Sequence, residues 1–237
     1  MIVLRNRTPC SPVSRPGRGP GHPANAGWMP AVVVIVAVVA GIAGSLTACG
    51  GAAGTPVALD DTWPSTPGQY DDVSRAWTRH AVMQQFDQQV LEVYATFKSP
   101  AWRAAHLAHS TETRSLAPDA RTQLEQMHRT SSIEFHEVQL LVTTWDRAEN
   151  DLQKGASSVW TLALRDDKGG VVEPVSITRD KRPIEVIRAE YPDMGDFATA
   201  YVVRFPRTLQ VLRQDARQLS MTMASARGTV ELVWHSR

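Results

Sequence analysis

Apolar and polar residues alternate through most of the chain after residue 133, with the period of two that is typical of half-buried β-strands. This alternation predicts three internal strands and a C-terminal hairpin whose turn is Ser225–Gly228. Segments rich in Gly, Pro and Asp separate the strands, so everything after residue 133 is expected to be β-structure. The side chains expected to share faces are Val138, Leu140 and Val142; Trp160, Leu162 and Leu164; Thr199, Tyr201, Val203 and Phe205; and Leu219, Met221 and Met223 opposite Val230, Leu232 and Trp234.

The segment before this region shows both helical and strand periods. Residues Tyr70–Phe86 are predicted to be helical, because Val73, Trp77 and Ala81 recur at a spacing of four. The next apolar stretch, residues 91–97, alternates instead and predicts a strand.

A helical hairpin is predicted to follow that strand. Ser99-Pro100 is a strong helix start, since serine caps a helix N-terminus and proline fits the first turn. A second helix is expected to begin at Pro118, with Leu124 and Met127 facing inward. We expect the hairpin to cover about residues 99–131.

Together these elements predict a mainly β fold. Seven or so short strands with turns every 8 to 15 residues are typical of an antiparallel β-sandwich of the immunoglobulin-like kind. The helical hairpin would be an insertion after the first strand, and a short N-terminal helix would precede it. We expect residues 70–237 to form a single globular domain.

The N-terminus has a different pattern. An Arg-, Pro- and Gly-rich lead is followed by the apolar run Ala31–Ala43 and then by small residues up to Cys49. These are the three regions of a signal peptide, which we place at residues 1–48. A transmembrane signal anchor over Ala31–Ala48 is the alternative, but no basic residue that could stop transfer follows until Arg75.

The residues that end this segment, Leu46-Thr47-Ala48-Cys49, resemble the lipobox of bacterial lipoproteins. The resemblance implies cleavage before Cys49, a diacylglyceryl group on its sulfur and a fatty acyl chain such as palmitate on its amino group. Two or more acyl chains hold a protein stably on a membrane. Gly50, rather than Asp, after the cysteine implies the outer membrane over the inner one, if the cell has two membranes.

Composition and charge limit the partners of the remaining chain. Residues 49–69 would be the lipidated N-terminus and a flexible tether, because they are rich in Gly, Pro, Ala and Thr. Four arginines lie in the first 18 residues; without them the 25 basic residues fall to 21, against 24 acidic ones. A net charge of −3 provides no general basis for binding nucleic acid. The other cysteine, Cys10, would leave with the signal peptide, so no disulfide is expected.

Several residue groups could carry chemistry. His106 and His109 are spaced to approach one metal ion from a helix, and His128 could be a third ligand of a zinc site. The alternative is a solvated helix face. His136-Glu137 begins like the HExxH motif, but residue 140 is leucine and the segment alternates like a strand, so the zincin motif is excluded.

Two further groups have a functional and a structural interpretation. Asp146, Glu149 and Asp151 could bind calcium at a loop, but a solvated loop with helix-capping acids is the favoured explanation. Three tryptophans in the predicted strands could form a platform for sugars or peptides: Trp145, Trp160 and Trp234. Core packing fits Trp160 and Trp234 better, since both are in register with aliphatic neighbours.

No motif in the sequence identifies an enzyme or a cofactor: there is no GxSxG, P-loop, GxGxxG or CxxC. We therefore expect an envelope lipoprotein that acts as a non-catalytic binding or structural module. Its expected partners are the membrane, through the lipid anchor, and another envelope protein. The alternatives are an envelope metallohydrolase that uses the three histidines, and an assembly or pilot lipoprotein of a secretion or motility complex.

Overall fold

The computed structural model describes residues 54–207, 211–212 and 215–237. The predicted signal peptide, the lipobox and Cys49 lie outside the described residues. Within them the protein is mainly β, with two antiparallel sheets and a few helices. No helix among the described residues is long and apolar enough to cross a membrane.

The larger sheet has five strands in the order β1-β2-β3-β7-β6, and the smaller sheet has four in the order β5-β4-β8-β9. Two short 3-10 helices, Arg147–Glu149 and Leu152–Ser157, follow β3. The elements in chain order are α1 (Tyr70–Trp77), β1 (Thr78–Gln85), β2 (Gln88–Phe97), α2 (Pro100–Thr113), α3 (Pro118–Glu134), β3 (Phe135–Thr144), β4 (Thr161–Asp166), β5 (Val171–Val172), β6 (Ser176–Arg179), α4 (Ile184–Glu190), β7 (Thr199–Pro206), β8 (Gln218–Ser225) and β9 (Gly228–His235).

The strands predicted from alternation after residue 133 are confirmed as β3, β4, β7, β8 and β9. The C-terminal hairpin has the expected register, with Leu219 opposite Trp234 and Met221 opposite Leu232. Core side chains of β2, β3 and β7 belong to one hydrophobic cluster together with those of β4, β8 and β9. Alternation identified this core correctly because each strand turns one apolar face toward it.

The helical hairpin also forms, as α2 and α3. Ser99 caps α2, and its Oγ accepts a hydrogen bond from the backbone N–H of Trp102 at 3.1 Å. The hairpin lies between β2 and β3, which pair directly, so it is inserted after the second strand and not after the first. The expectation that Met127 faces inward is wrong, because its side chain is 59% exposed, whereas Leu124 is half-buried.

The predicted helix Tyr70–Phe86 is wrong in its second half, where the helix ends at Trp77 and the chain continues as β1. In β1 the inward positions are Arg79, Ala81 and Met83, all buried. The first inward position of β1 carries an arginine, which is a polar residue. The apolar–polar alternation expected of a strand was therefore not apparent in the sequence. The spacing of Trp77 and Ala81 was then compatible with a helix.

The expectation of only β-structure after residue 133 is also wrong, because α4 lies between β6 and β7. This helix has seven residues and buries Ile187 and Glu190. Its proline at position 183 was interpreted as a turn signal, but proline also commonly stands at a helix start.

Arg79 joins four separate parts of the chain. Its Nε donates to the carbonyl of Val233 on β9 at 2.5 Å, and one terminal nitrogen donates to the carbonyl of Thr55 at 2.9 Å. The other terminal nitrogen donates to the carbonyls of Ala76 and Thr78, each at 2.9 Å. The side chain therefore links α1 and β1 to β9 of the other sheet and to the segment before Val57.

That N-terminal segment lies against the domain. Val57 is buried and pairs with Ser236 as a parallel bridge. A Cβ at Gly54 would lie 2.3 Å from Cζ of Arg79. Because four carbonyls hold the guanidinium in place, it cannot easily move away, so this position requires glycine. The described part of the expected tether, residues 54–69, thus contacts the domain at these points.

Replacing Arg79 by methionine tests this link. The change leaves four carbonyls without their charged donor while keeping most of the side-chain volume, so we expect the free energy of unfolding to fall by about 3 kcal/mol. Urea unfolding followed by tryptophan fluorescence measures it. Arg75→Met is the matched control: the Arg75 side chain is 76% exposed and pairs with the equally exposed Asp72, so a change within about 0.5 kcal/mol is expected. Equal losses in the two variants would contradict the role assigned to Arg79.

Candidate functional site

A cleft of about 360 Å³ lies between the helical hairpin, α4 and the face of the larger sheet opposite the core. Side chains of β3 and β7 alternate between the core and this face, so Val138 and Val203 are in the core while Glu137, Val202 and Arg204 line the cleft. Its size suits a small ligand. The charged side chains of the lining are Lys98, Arg103, Arg114, Arg182 and Arg204, with Glu137, Asp180 and Glu190.

Glu137 on β3 is the centre of one ion-pair group. Its Oε1 accepts from Lys98 Nζ at 2.8 Å and lies 3.9 Å from Arg103, while its Oε2 accepts from Arg204 Nε at 3.0 Å. Burial favours the neutral acid, but the charges of Lys98 and Arg103 outweigh it and hold the pKa of Glu137 at about 2. Burial also lowers the pKa of Lys98, and the neighbouring Glu137 opposes that change.

Glu190, the last residue of α4, is the centre of a second group. Its carboxylate accepts from Arg114 at 2.9 Å and from Arg182, which also binds both oxygens of Asp180. Burial opposes ionisation here as well, but the facing His106 ring and the Arg182 guanidinium bring the pKa of Glu190 to about 2. Both carboxylates are therefore ionised over the physiological pH range.

Two buried histidines connect the groups. His128 Nδ1 lies 3.3 Å from a terminal nitrogen of Arg103, and His128 Nε2 lies 3.3 Å from His106 Nδ1. Burial lowers the pKa of His106, and it lowers that of His128 to about 3, so both rings are neutral at pH 7. A guanidinium can only donate. His128 Nδ1 therefore accepts, and the proton of His128 is on Nε2.

This hydrogen-bond direction continues through the second ring. His128 Nε2–H donates to His106 Nδ1, which places the proton of His106 on Nε2. That atom lies 3.4 Å from Oε1 of Glu190 but makes no aligned hydrogen bond within the described residues, although His106 is only 7% exposed. A buried N–H donor without a partner is costly and rare. The Glu190 carboxylate lies beside this N–H, and both residues line the cleft.

The three histidines considered as candidate metal ligands do not converge. His106 and His128 meet through their ring nitrogens, whereas His109 stacks on Tyr70 at a centroid distance of 4.7 Å. No group of three or more His, Cys, Asp and Glu side chains in the described part of the chain is placed to hold a metal ion. His136 and Glu137 lie on a strand, as expected from the alternation.

The predicted calcium ligands serve separate local structures. Asp146 caps the first 3-10 helix through Ala148 N–H, and Asp151 accepts from the Ser158 hydroxyl at 2.7 Å. Glu149 forms an ion pair with Arg227. The three carboxylates are therefore engaged with different partners.

The tryptophans divide as the packing interpretation predicted. Trp160 and Trp234 are buried in the core at 2% and 0% exposure. Trp145, immediately after β3, is 69% exposed. The three do not form a common platform.

Sequence reasoning missed most of the cleft. Of its charged lining only Glu137 was considered, and then as part of a rejected motif. The alternation placed Glu137 outward, which is correct for the sheet, but nothing in the local pattern shows that α2, α3 and α4 cover that face. The available signal was Arg103, since it stands three residues before His106 on the predicted helix.

No protein-family profile, curated protein or solved structure matches this chain.

Stability should fall steadily on acidification. The folded pKa of Glu137 and Glu190 is below the usual 4.5, so their contribution to the free energy of unfolding is present above about pH 4.5 and is lost as the pH falls toward 2.

The buried histidines act in the same direction at higher pH. Burial lowers the pKa of His128 to about 3 and of His136 to about 4, and unfolded histidine takes up a proton near 6.5. The unfolded state thus binds more protons than the folded state, both between the folded and unfolded pKa values of the glutamates and between those of the histidines. Each histidine contributes up to about 1.4 kcal/mol per pH unit.

Urea titrations at a series of pH values from 7 to 4 measure this slope. His128→Gln removes one titrating group and should flatten the curve between about pH 6.5 and 4.5. His235→Gln, on an exposed position of β9, should leave the slope unchanged. An unchanged slope in His128→Gln would show that His128 is not buried in its neutral form.

Proposed function

We propose that this protein is a lipid-anchored binding module of the bacterial cell envelope, which holds a small ligand in the cleft without converting it. The observation that carries the proposal is a cleft of about 360 Å³ in which Lys98 and Arg204 keep hydrogen-bond donors that no acceptor among the described residues takes up. A polar group of this kind is stabilised when a ligand supplies its missing partner.

The state of the ionisable groups supports binding over catalysis. General acid–base catalysis works best with a pKa near the operating pH. Glu137 and Glu190 have a pKa of about 2 and are locked in ion pairs, while that of His128 is about 3. Such groups orient and neutralise a ligand more readily than they exchange protons with it.

The anchoring part of the proposal depends on the lipobox-like Leu46–Cys49. The predicted signal peptide would direct the domain out of the cytoplasm, and acylated Cys49 would hold it on the membrane, with Gly50 favouring the outer membrane of a two-membrane cell. The metallohydrolase alternative loses its support, because His109 does not join the other two histidines.

We further propose that the two sheets pack face to face as a sandwich. Their side chains share one hydrophobic cluster, and the Trp234 indole on β9 donates to the carbonyl of Trp77 at 2.8 Å. The immunoglobulin-like class stays a prediction. The chain departs from that layout in one respect, since its first three strands are neighbours in one sheet.

The assembly or pilot alternative has an observation in its favour. Phe86, Trp145 and Phe197 are exposed by 94%, 69% and 69%. The registers of β2, β3 and β7 bring their loops to the same end of the larger sheet. Exposed aromatic side chains grouped in this way are typical of protein contact surfaces. Under this alternative a defined envelope protein would bind that end, and Trp145→Ala would abolish the contact.

Mass spectrometry of the protein purified from membranes tests both parts of the main proposal. We expect a diacylglyceryl group on Cys49, and a co-purifying small molecule that is released unaltered. Cys49→Ala should lose fatty-acid labelling and membrane retention. Val202→Phe, which adds a ring on the cleft side of β7, should lose the small molecule but keep the lipid.

Val171→Phe is the matched control, because this valine is exposed on β5, away from the cleft. It should retain both the lipid and the small molecule. Unchanged labelling and retention in Cys49→Ala would contradict the lipobox interpretation. Recovery of no cleft-dependent molecule, or of one that is chemically changed, would contradict non-catalytic binding.

A further inference from the structure

The Glu137 end of the cleft holds more hydrogen-bond donors than the described residues use. Lys98 has three ammonium protons, but its one hydrogen bond among these residues is to Glu137. Arg204 donates through Nε alone, so its two terminal nitrogens have no acceptor within the described part of the chain.

The net charge of the cleft lining also favours an anionic ligand. With both histidines neutral, the five cationic and three anionic side chains of the lining leave a surplus of two positive charges. The surplus is at the Glu137 end, where Lys98, Arg103 and Arg204 face a single carboxylate. At the other end, Arg114 and Arg182 are balanced by Asp180 and Glu190.

These features exclude the other simple ligand classes. A metal ion needs an unprotonated ring nitrogen, but Arg103 and the histidine chain keep the proton on His106 Nε2. An organic cation would be repelled by the surplus charge. A neutral polar ligand could accept from the donors, but it would leave that charge uncompensated.

The surroundings indicate more than a free inorganic ion. Lys98 lies 5.8 Å from the ring centre of Trp102, and Leu124 and Met127 line the same cleft. Arg204 is 47% exposed, so it can change partners without disturbing buried packing. The cleft thus combines a cationic end with an apolar wall.

We propose that the cleft binds a small molecule through an oxyanion group, a phosphate or a carboxylate, held by Lys98 Nζ and the terminal nitrogens of Arg204. This inference rests on the proposed binding function and names its ligand class. The apolar wall would contact the non-ionic part of the molecule. Glu137 stays in place as the fixed partner that positions Lys98 and Arg204.

Calorimetric titration of the full-length lipidated protein, in a non-ionic detergent, tests the proposal directly. The probes are inorganic phosphate and succinate, with chloride at the same ionic strength as the reference. We expect saturable binding of at least one of the two oxyanions, weakened by salt. Binding of phosphate alone would identify the ligand group as a phosphate, and binding of succinate alone would identify it as a carboxylate.

The variant Arg204→Gln should weaken this binding roughly 10-fold or more, because it removes charged hydrogen bonds to the anion. Arg188→Gln is the matched control: Arg188 is also partly exposed and ion-paired, with Asp196, but lies outside the cleft. Its affinity should stay within about a factor of two of the parent. Urea unfolding of each variant checks that the fold is retained.

Absence of saturable binding of either oxyanion would overturn the inference, as would equal losses in Arg204→Gln and Arg188→Gln. This failure is distinct from that of the proposed function. If a neutral molecule co-purifies and Val202→Phe removes it, the binding function stands and the oxyanion inference falls. If no molecule depends on the cleft, the binding function itself falls.

Discussion

Glu137 and Glu190 place two negative charges beneath the helices, and the surrounding structure is organised to compensate them. Glu137 on β3 draws together Lys98 after β2, Arg103 on α2 and Arg204 on β7. A buried ion that loses its partner typically costs about 3–5 kcal/mol. If the hairpin shifted along the sheet, Arg103 and Glu137 would lose their pairing while still buried, so the ion pairs favour the observed position of the hairpin.

Glu190 extends the same constraint to α4. Arg114 follows α2, Arg182 precedes α4, and His106 is on α2, so one carboxylate holds two helices at a common point. The histidine chain then joins this point to Arg103. The direction of its hydrogen bonds is set by the guanidinium, and the chain ends at His106 Nε2–H beside the Glu190 carboxylate. The ion pairs that hold the helices therefore also create the polar end of the proposed binding site.

The sheets could be predicted from sequence wherever inward positions carry apolar side chains. Leu140, Val203 and Met221 follow this rule, and their strands are confirmed. The rule failed at β1, where the inward residue is Arg79. Its side chain is stabilised by hydrogen bonds to four backbone carbonyls and not by the hydrophobic effect. The start of α2 was predicted correctly from Ser99, because a helix cap depends only on residues that are close in sequence.

The cleft could not be predicted, because its residues come from separate elements. Lys98, Glu137, Arg182 and Glu190 meet only after α2, α3 and α4 fold over the sheet, and each is unremarkable in its own segment. His106, His109 and His128 were singled out as candidate metal ligands, but only His106 and His128 come together. Their tautomers depend on Arg103, a contact that sequence spacing does not reveal.

The central claim is that both carboxylates remain ionised under the helices, so that they hold the surrounding cations in place at the cleft. Carbon-13 NMR of the glutamate side-chain carboxyls in the full-length protein measures this directly. The pKa values of about 2 for Glu137 and Glu190 predict that neither carboxyl signal titrates between pH 7 and about pH 4. A titration midpoint near 4.5 or above for either residue would contradict the account.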